Sequence, residues 1–87
     1  MDITVYSKPN CSQCSATYRT MDKKGVEYRS IDMSQDLDAL DEVRALGFQQ
    51  APVIVVKRDG EVIDSWGGFN AEKIAEFAPQ TSELAPA

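Results

Sequence analysis

Four consecutive apolar residues, Val53-Ile54-Val55-Val56, constrain the fold of this chain more than any other feature of its sequence. The run offers no polar side to water, which is typical of a strand buried on both faces. Pro52 lies directly before it, where a strand can begin without a backbone donor. A chain of 87 residues has room for one domain with a modest core. We therefore predict a single small domain in which this strand is covered on both sides.

Strand and helix patterns alternate along the rest of the chain. A strand, a helix and a second strand imply a parallel pair, and the turn signal Asp59-Gly60 adds an antiparallel hairpin. The order β-α-β-α-β-β-α predicts an α/β fold with a four-stranded mixed sheet flanked by three helices. The domain covers residues 1–78, and we expect residues 79–87, rich in small and polar side chains, to be a flexible tail. The predicted strands are 3–6, 27–31, 53–56 and 61–65, and the predicted helices are 12–24, 37–46 and 71–77.

Sequence signals also indicate where the helices begin and end, and which face of the second helix is buried. Gly25 suits the end of the first helix, and Asn70 suits the start of the last. Either Ser34 or Asp36 is predicted to cap the second helix. Its buried face is predicted to carry Leu37, Leu40, Val43 and Leu46, with Gly47 after its end.

The net charge of −5 bears on possible partners. An acidic surface repels nucleic-acid backbones and anionic membranes, so we expect neither as a partner. No apolar run approaches the roughly 18 residues of a membrane span. The start, Met1 to Tyr6, lacks the basic and apolar regions of a signal peptide. We expect a cytoplasmic monomer.

Cys11 and Cys14 are the only two cysteines, in the spacing Cys-x-x-Cys. They lie where a turn after the first strand opens the first helix. Cys11 occupies roughly the cap position, where free backbone N–H groups and the positive helix end favour a thiolate, and Lys8 adds a cation nearby. We predict that Cys11 attacks a substrate disulfide and that Cys14, one turn deeper, then displaces the reduced substrate.

Two structural roles for this pair are the alternatives. A zinc site needs four ligands, but the chain has no histidine and no third cysteine, so no metal is predicted. A purely structural disulfide closes too short a loop to stabilise much and is disfavoured in a reducing compartment.

Two further segments are candidates for contact with a partner. The Ala51-Pro52 bond is trans by frequency alone, and only the fold context favours the cis form. Trp66, at the predicted end of the last strand, is a candidate exposed aromatic for a partner, and the glycines after it allow close approach of a ligand. The predicted partner-binding residues are Lys8, Ser12, Gln13, Ala51, Pro52, Trp66, Gly67, Gly68 and Phe69.

Three segments together resemble one family of redox proteins. They are residues 4–14 (TVYSKPNCSQC), 47–52 (GFQQAP) and 66–69 (WGGF). The first is similar to the opening of glutaredoxin-like proteins, and the set resembles the NrdH-redoxins, the electron donors of class Ib ribonucleotide reductases. The resemblance covers about residues 2–78.

The resemblance implies a thioredoxin-type fold, a Cys11 nucleophile, a resolving Cys14, a redox-active disulfide between them and a cis Pro52. It also implies that Trp66, Gly68 and Phe69 shape the loop beside the active site. Thioredoxin reductase is the implied donor, so that NADPH is used indirectly and no cofactor is bound. The implied acceptor is the large subunit of ribonucleotide reductase. The Gly67-Gly68 pair also resembles the glutathione loop of true glutaredoxins, so a glutathione-dependent glutaredoxin and a redox-sensing adaptor domain are the alternatives.

Overall fold

The computed structural model of the protein describes residues 1–78. Its four strands and three helices follow one another in the predicted order. The predicted flexible tail, residues 79–87, lies outside the described residues and stays a prediction. The strands are β1 (Asp2–Ser7), β2 (Arg29–Asp32), β3 (Val53–Arg58) and β4 (Glu61–Gly67), and the helices are α1 (Ser12–Lys24), α2 (Leu37–Ala45) and α3 (Ala71–Glu76).

The four strands form one mixed sheet in the order β2-β1-β3-β4. β1 pairs in parallel with β2 and antiparallel with β3, and β3 pairs antiparallel with β4. β3 is an internal strand, and its residues Val53 to Val56 are all buried, which confirms the prediction from the apolar run. The turn before β4 places Asp59 and Gly60 at φ values of 53° and 83°, as a two-residue hairpin loop requires.

A hydrophobic cluster lies on each face of the sheet because alternate residues of β3 point in opposite directions. Ile54 packs in one cluster with Met21 of α1 and Ile74 of α3. Val55 packs in the other cluster with Val43 of α2. The internal strand β3 therefore contributes residues to both clusters. Helices α1 and α3 pack on one face of the sheet, and α2 packs on the other.

The predicted buried face of α2 is partly wrong. Asp36 caps the helix by accepting the Ala39 N–H at 3.1 Å, one of the two predicted possibilities. Ala39 and Val43 are the buried residues of this helix, whereas Leu37 is 72% exposed. At 3.6 residues per turn, Leu37 lies about 160° around the helix from Ala39. Leu46 is also exposed, because α2 ends before it.

A polar network fastens α2 to the sheet beside this apolar contact. The buried Tyr6 of β1 donates its hydroxyl proton to Glu42 Oε1 at 2.5 Å, and Lys57 Nζ of β3 contacts Glu42 Oε2 at 2.9 Å. The Tyr6 hydroxyl and the Lys57 ammonium stabilise the carboxylate and lower the pKa of Glu42. Burial, together with Glu42, raises the pKa of Tyr6, so that this hydroxyl keeps its proton.

Glu42 is expected to make folding stability sensitive to acid. Its pKa in the folded protein lies below the ordinary value of 4.5. Its contribution is therefore complete above about pH 5 and is lost as the pH falls through the lowered pKa. Glu42→Gln should lower the free energy of unfolding at pH 7. Between pH 6 and pH 3, the free energy of unfolding should fall less in the variant than in the wild type. Urea unfolding followed by circular dichroism at pH 7, pH 6 and pH 3 measures these changes, with Asp41→Asn, at the exposed neighbouring residue, as control. Equal acid losses in Glu42→Gln and the wild type would contradict the prediction.

Candidate active site

Cys11 is the N-cap residue of α1, as predicted. Its backbone is extended (φ −114°, ψ 105°), and the helix begins at Ser12. The Cys14 N–H donates to Cys11 Sγ at 3.1 Å, and the Ser15 N–H donates to the Cys11 carbonyl at 3.2 Å. The first sulfur therefore accepts a backbone hydrogen bond at the positive end of a helix, an arrangement that stabilises a thiolate.

Cys11 and Cys14 are joined by a disulfide, with their Cα atoms 5.2 Å apart. Cys11 is partly exposed, whereas Cys14 is 3% exposed. A partner disulfide therefore has access to the first sulfur but not to the second. Within residues 1–78, no group of three Cys, His, Asp or Glu side chains lies together as a candidate metal site.

An open groove is lined by both cysteines and by residues before and after Cys11. Its lining includes Lys8 and Ser12, two of the predicted partner-binding residues, both of them exposed. Hydroxyl and amide side chains of Ser7, Asn10 and Ser15 complete most of the wall. This side of the site is polar, with one cation at its edge.

A second groove lies beside Gln13 of α1, where several of the predicted loop residues come together. Gln13 and the stretch 47–51 line it, together with Gly67 and Gly68. The Ala51-Pro52 bond is cis, as the resemblance implied. The Gly68 N–H donates to the Pro52 carbonyl at 2.8 Å, so the loop after β4 is bonded to the residue that begins β3.

Position 67 favours glycine because of a packing contact that the neighbouring residues in the sequence do not reveal. A Cβ atom built on Gly67 would lie 3.2 Å from Cδ1 of Phe48, closer than most real Cβ contacts. Phe48 itself is half-buried against the α2 core. The small residue at 67 lets Phe48 form the wall between this groove and the core.

The expectation that Trp66 is an exposed aromatic is wrong. Trp66 is 7% exposed and lies inside β4, with its ring stacked on Phe77 at a centroid distance of 5.9 Å. Lys73 Nζ lies 5.4 Å from the centre of the indole. The strand extends two residues beyond its predicted end, so that its alternation turns Trp66 into the core with Met21 and Ile74. Phe69, one of the predicted partner-binding residues, is 40% exposed.

Several residues that line the two grooves were absent from the predicted set, among them Asn10 and Phe48. Asn10 adopts a left-handed φ of 58° directly before Cys11, a conformation that asparagine tolerates better than most residues. Proline and asparagine are common in turns, so Pro9 and Asn10 mark this position in the sequence. Phe48 has no comparable local signal, because its role depends on contact with Gly67, which is distant in sequence.

The sequence profile of the family described as Glutaredoxin matches residues 3–63. The glutaredoxin-like protein NrdH of Salmonella typhimurium is 39% identical over 79 residues, which cover 91% of each chain. The chain belongs to the NrdH group of the glutaredoxin family. NrdH of Lactococcus lactis subsp. cremoris is 30% identical to this redoxin over 76 residues, covering 87% of it and 99% of the relative.

The solved structure of the NrdH-redoxin from Escherichia coli superposes on this redoxin with a TM-score of 0.81. The two are 34% identical, and the match covers 91% of this chain and 97% of that one. That relative is a glutaredoxin-like protein with a thioredoxin-like activity profile.

The predicted fold and enzyme class are therefore confirmed. The redoxin has a thioredoxin-like fold and is a thiol–disulfide oxidoreductase with a Cys11–Cys14 pair at disulfide distance. In residues 1–78, no helix has the length and apolar character needed to cross a membrane.

Proposed function

We propose that the redoxin is a cytoplasmic dithiol electron carrier that accepts electrons from thioredoxin reductase and delivers them to a protein disulfide of class Ib ribonucleotide reductase. NADPH is then consumed by the reductase, and the redoxin binds no cofactor of its own. The likeness to NrdH proteins supports this assignment, as does the thioredoxin-like activity profile ascribed to the Escherichia coli relative.

The observation that carries the choice of donor is the chemistry of the groove beside Pro52. In the part of the chain that the structure describes, none of the residues lining that groove is charged. Glutathione carries two carboxylates, which bind most strongly to cationic side chains or to free N–H donors. An uncharged groove favours an extended polypeptide over this small anion.

The reaction begins with the reduced pair. The Cys11 thiolate attacks one sulfur of the partner disulfide, the partner S–S bond breaks, and the second partner sulfur leaves as a thiolate. Cys14 loses its proton and attacks Cys11 Sγ, which releases the first partner sulfur as a thiolate. Two electrons have passed to the partner, both partner thiolates take up protons, and the redoxin is left as the Cys11–Cys14 disulfide.

The exposed surface around this disulfide fits a protein partner. Phe69 follows Gly68 of the uncharged groove in sequence, and its aromatic ring is 40% exposed. Aromatic side chains often dominate the binding energy of interfaces. Lys8, in the groove that Cys11 lines, supplies a positive charge for the acidic part of a partner. We therefore assign acceptor recognition to both grooves and to the exposed Phe69 ring.

A paired assay tests the donor. One reaction contains NADPH and thioredoxin reductase, the other NADPH, glutathione and glutathione reductase, and both use insulin as the common disulfide acceptor. We expect NADPH oxidation in the first reaction and little above background in the second. Turnover confined to the glutathione reaction would reject the proposed donor. Turnover in neither, with a reduced pair that persists, would favour the adaptor alternative.

The acceptor is tested separately with purified class Ib ribonucleotide reductase. The redoxin, thioredoxin reductase and NADPH should sustain repeated formation of deoxyribonucleotide, and Cys11→Ser should abolish it. Ribonucleotide reductase that stays oxidised while insulin is reduced would reject this acceptor and leave the donor assignment intact.

A further inference from the structure

Gln13 joins the active-site helix to the loop after β4. It lies between the two cysteines in sequence, and its side-chain oxygen accepts the Phe69 N–H at 3.1 Å across a separation of 56 residues. The same oxygen would lie 3.1 Å from a Cβ atom at Gly68. The loop therefore lies directly against the Gln13 amide, and Gly68, at a φ of 80°, leaves room for it.

The two backbone N–H groups at the tip of this loop are both used within the protein. The Gly68 N–H bonds to the Pro52 carbonyl, and the Phe69 N–H bonds to Gln13. Successive backbone N–H groups in a turn with a positive φ form a natural site for an anionic oxygen. Here the Gly68 N–H is bonded to backbone, whereas the Phe69 N–H is bonded to the Gln13 side chain, which a single substitution can remove.

We propose that Gln13 is a specificity-determining residue. Its side-chain oxygen accepts the hydrogen bond of the Phe69 N–H, so this donor cannot bind a carboxylate of glutathione. This inference rests on the proposed function and deepens it. The groove lining supplies no charge to bind the anion, and Gln13 removes the neutral donor that remains at the loop tip. The same hydrogen bond holds Phe69 in position for a protein partner.

The reaction that Gln13 suppresses is the reduction of the Cys11–Cys14 disulfide by glutathione. A glutathione thiolate attacks Cys11 Sγ, the S–S bond breaks, and Cys14 leaves as a thiolate and is protonated. A second glutathione thiolate then attacks the glutathione sulfur of the mixed disulfide. Cys11 leaves as a thiolate, and glutathione disulfide is released for reduction by glutathione reductase and NADPH. The first attack needs glutathione held beside Cys11, which is the step that the occupied loop opposes.

Two substitutions at position 13 separate the hydrogen bond from other effects. Gln13→Ala removes the acceptor and frees the Phe69 N–H. Gln13→Glu keeps an acceptor of the same length and adds a negative charge that repels carboxylates. Gln35→Ala, at an exposed glutamine between β2 and α2, controls for the loss of a surface amide.

Each variant is measured in two ways. Amide hydrogen exchange followed by NMR reports whether the Phe69 N–H is still bonded. The ratio of kcat/KM with glutathione to kcat/KM with thioredoxin reductase reports donor choice, and it cancels any change common to both reactions. For Gln13→Ala we expect exchange of the Phe69 amide to be at least about fivefold faster and the ratio to rise about tenfold, the scale of one charge-assisted hydrogen bond. Gln13→Glu should keep the Phe69 amide protected and should not raise the ratio, because the added charge repels the carboxylates of glutathione. Gln35→Ala should stay close to the wild type in both measurements.

The outcomes distinguish this inference from the proposed function. A freed Phe69 amide with an unchanged donor ratio would overturn the role of Gln13 in specificity. In Gln13→Ala, a raised ratio with a Phe69 amide as protected as in the wild type would overturn the loop mechanism. The wild-type reactions alone test the donor, so failure of the proposed function is visible before any variant is compared.

Discussion

Cys14→Ser is expected to stop the reaction at the mixed disulfide between Cys11 and its partner. The variant keeps the attacking sulfur at the helix cap, but it lacks the thiol that displaces the partner. Turnover should fall at least about 100-fold, because an intramolecular attack at high effective concentration is replaced by encounters with external thiols. Mass spectrometry of the reaction with a disulfide peptide should show a single adduct, located on Cys11 and released by dithiothreitol.

Cys11→Ser is the matched control, since it removes the same number of sulfur atoms and also lacks the disulfide. Its remaining thiol, Cys14, is 3% exposed, so it should neither form the adduct nor support turnover. An adduct on Cys14 in this variant, at a rate like that of Cys14→Ser, would reverse the assigned order of attack. Circular dichroism of both variants checks that each one is folded.

Trp66→Ala is expected to destabilise the redoxin by about 3–5 kcal/mol, the usual cost of removing a large buried ring. The ring packs in the core cluster of α1 and α3 and stacks on Phe77, and the smaller side chain leaves a cavity that these elements fill only in part. Such a loss is a large fraction of the stability of a small domain. Urea unfolding must be followed by circular dichroism, because Trp66 is the only tryptophan.

Phe69→Ala supplies the contrast three residues away. Its ring is 40% exposed, so the free energy of unfolding should change by no more than about 0.5 kcal/mol. The KM for the protein acceptor should rise severalfold instead, because the exposed ring follows directly after Gly68 of the proposed partner groove. A stable Trp66→Ala variant with a raised KM would restore the sequence-based view of Trp66 as a contact residue.

The elements that the sequence predicted well have local physical causes. The β3 strand follows from four apolar residues in a row, which no exposed element tolerates. The ends of α1 follow from Cys11 at a position with free N–H groups and from Gly25, whose φ of 75° suits glycine. The hairpin at Asp59-Gly60 follows from two residues that accept positive φ. Each of these features depends on residues within a few positions of one another.

The features that the sequence did not predict are contacts between distant segments. Leu37 looked buried because its spacing matched Leu40 and Val43, but the face of α2 that meets the sheet is centred on Ala39 and Val43. The bond from Phe69 to Gln13 and that from Tyr6 to Glu42 join residues 56 and 36 positions apart. No local pattern marks such pairs.

By itself, the sequence determined the order of the elements, the buried strand and the placement of two cysteines at the start of a helix, because these depend on spacing, side-chain polarity and backbone preference. Only the tertiary structure decided that Trp66 belongs to the core, that Phe69 faces solvent and that Gln13 occupies the loop beside the disulfide. The physical reason is that burial and hydrogen bonding at these positions are set by which segments the folded sheet brings together, and that information is not local to any of them.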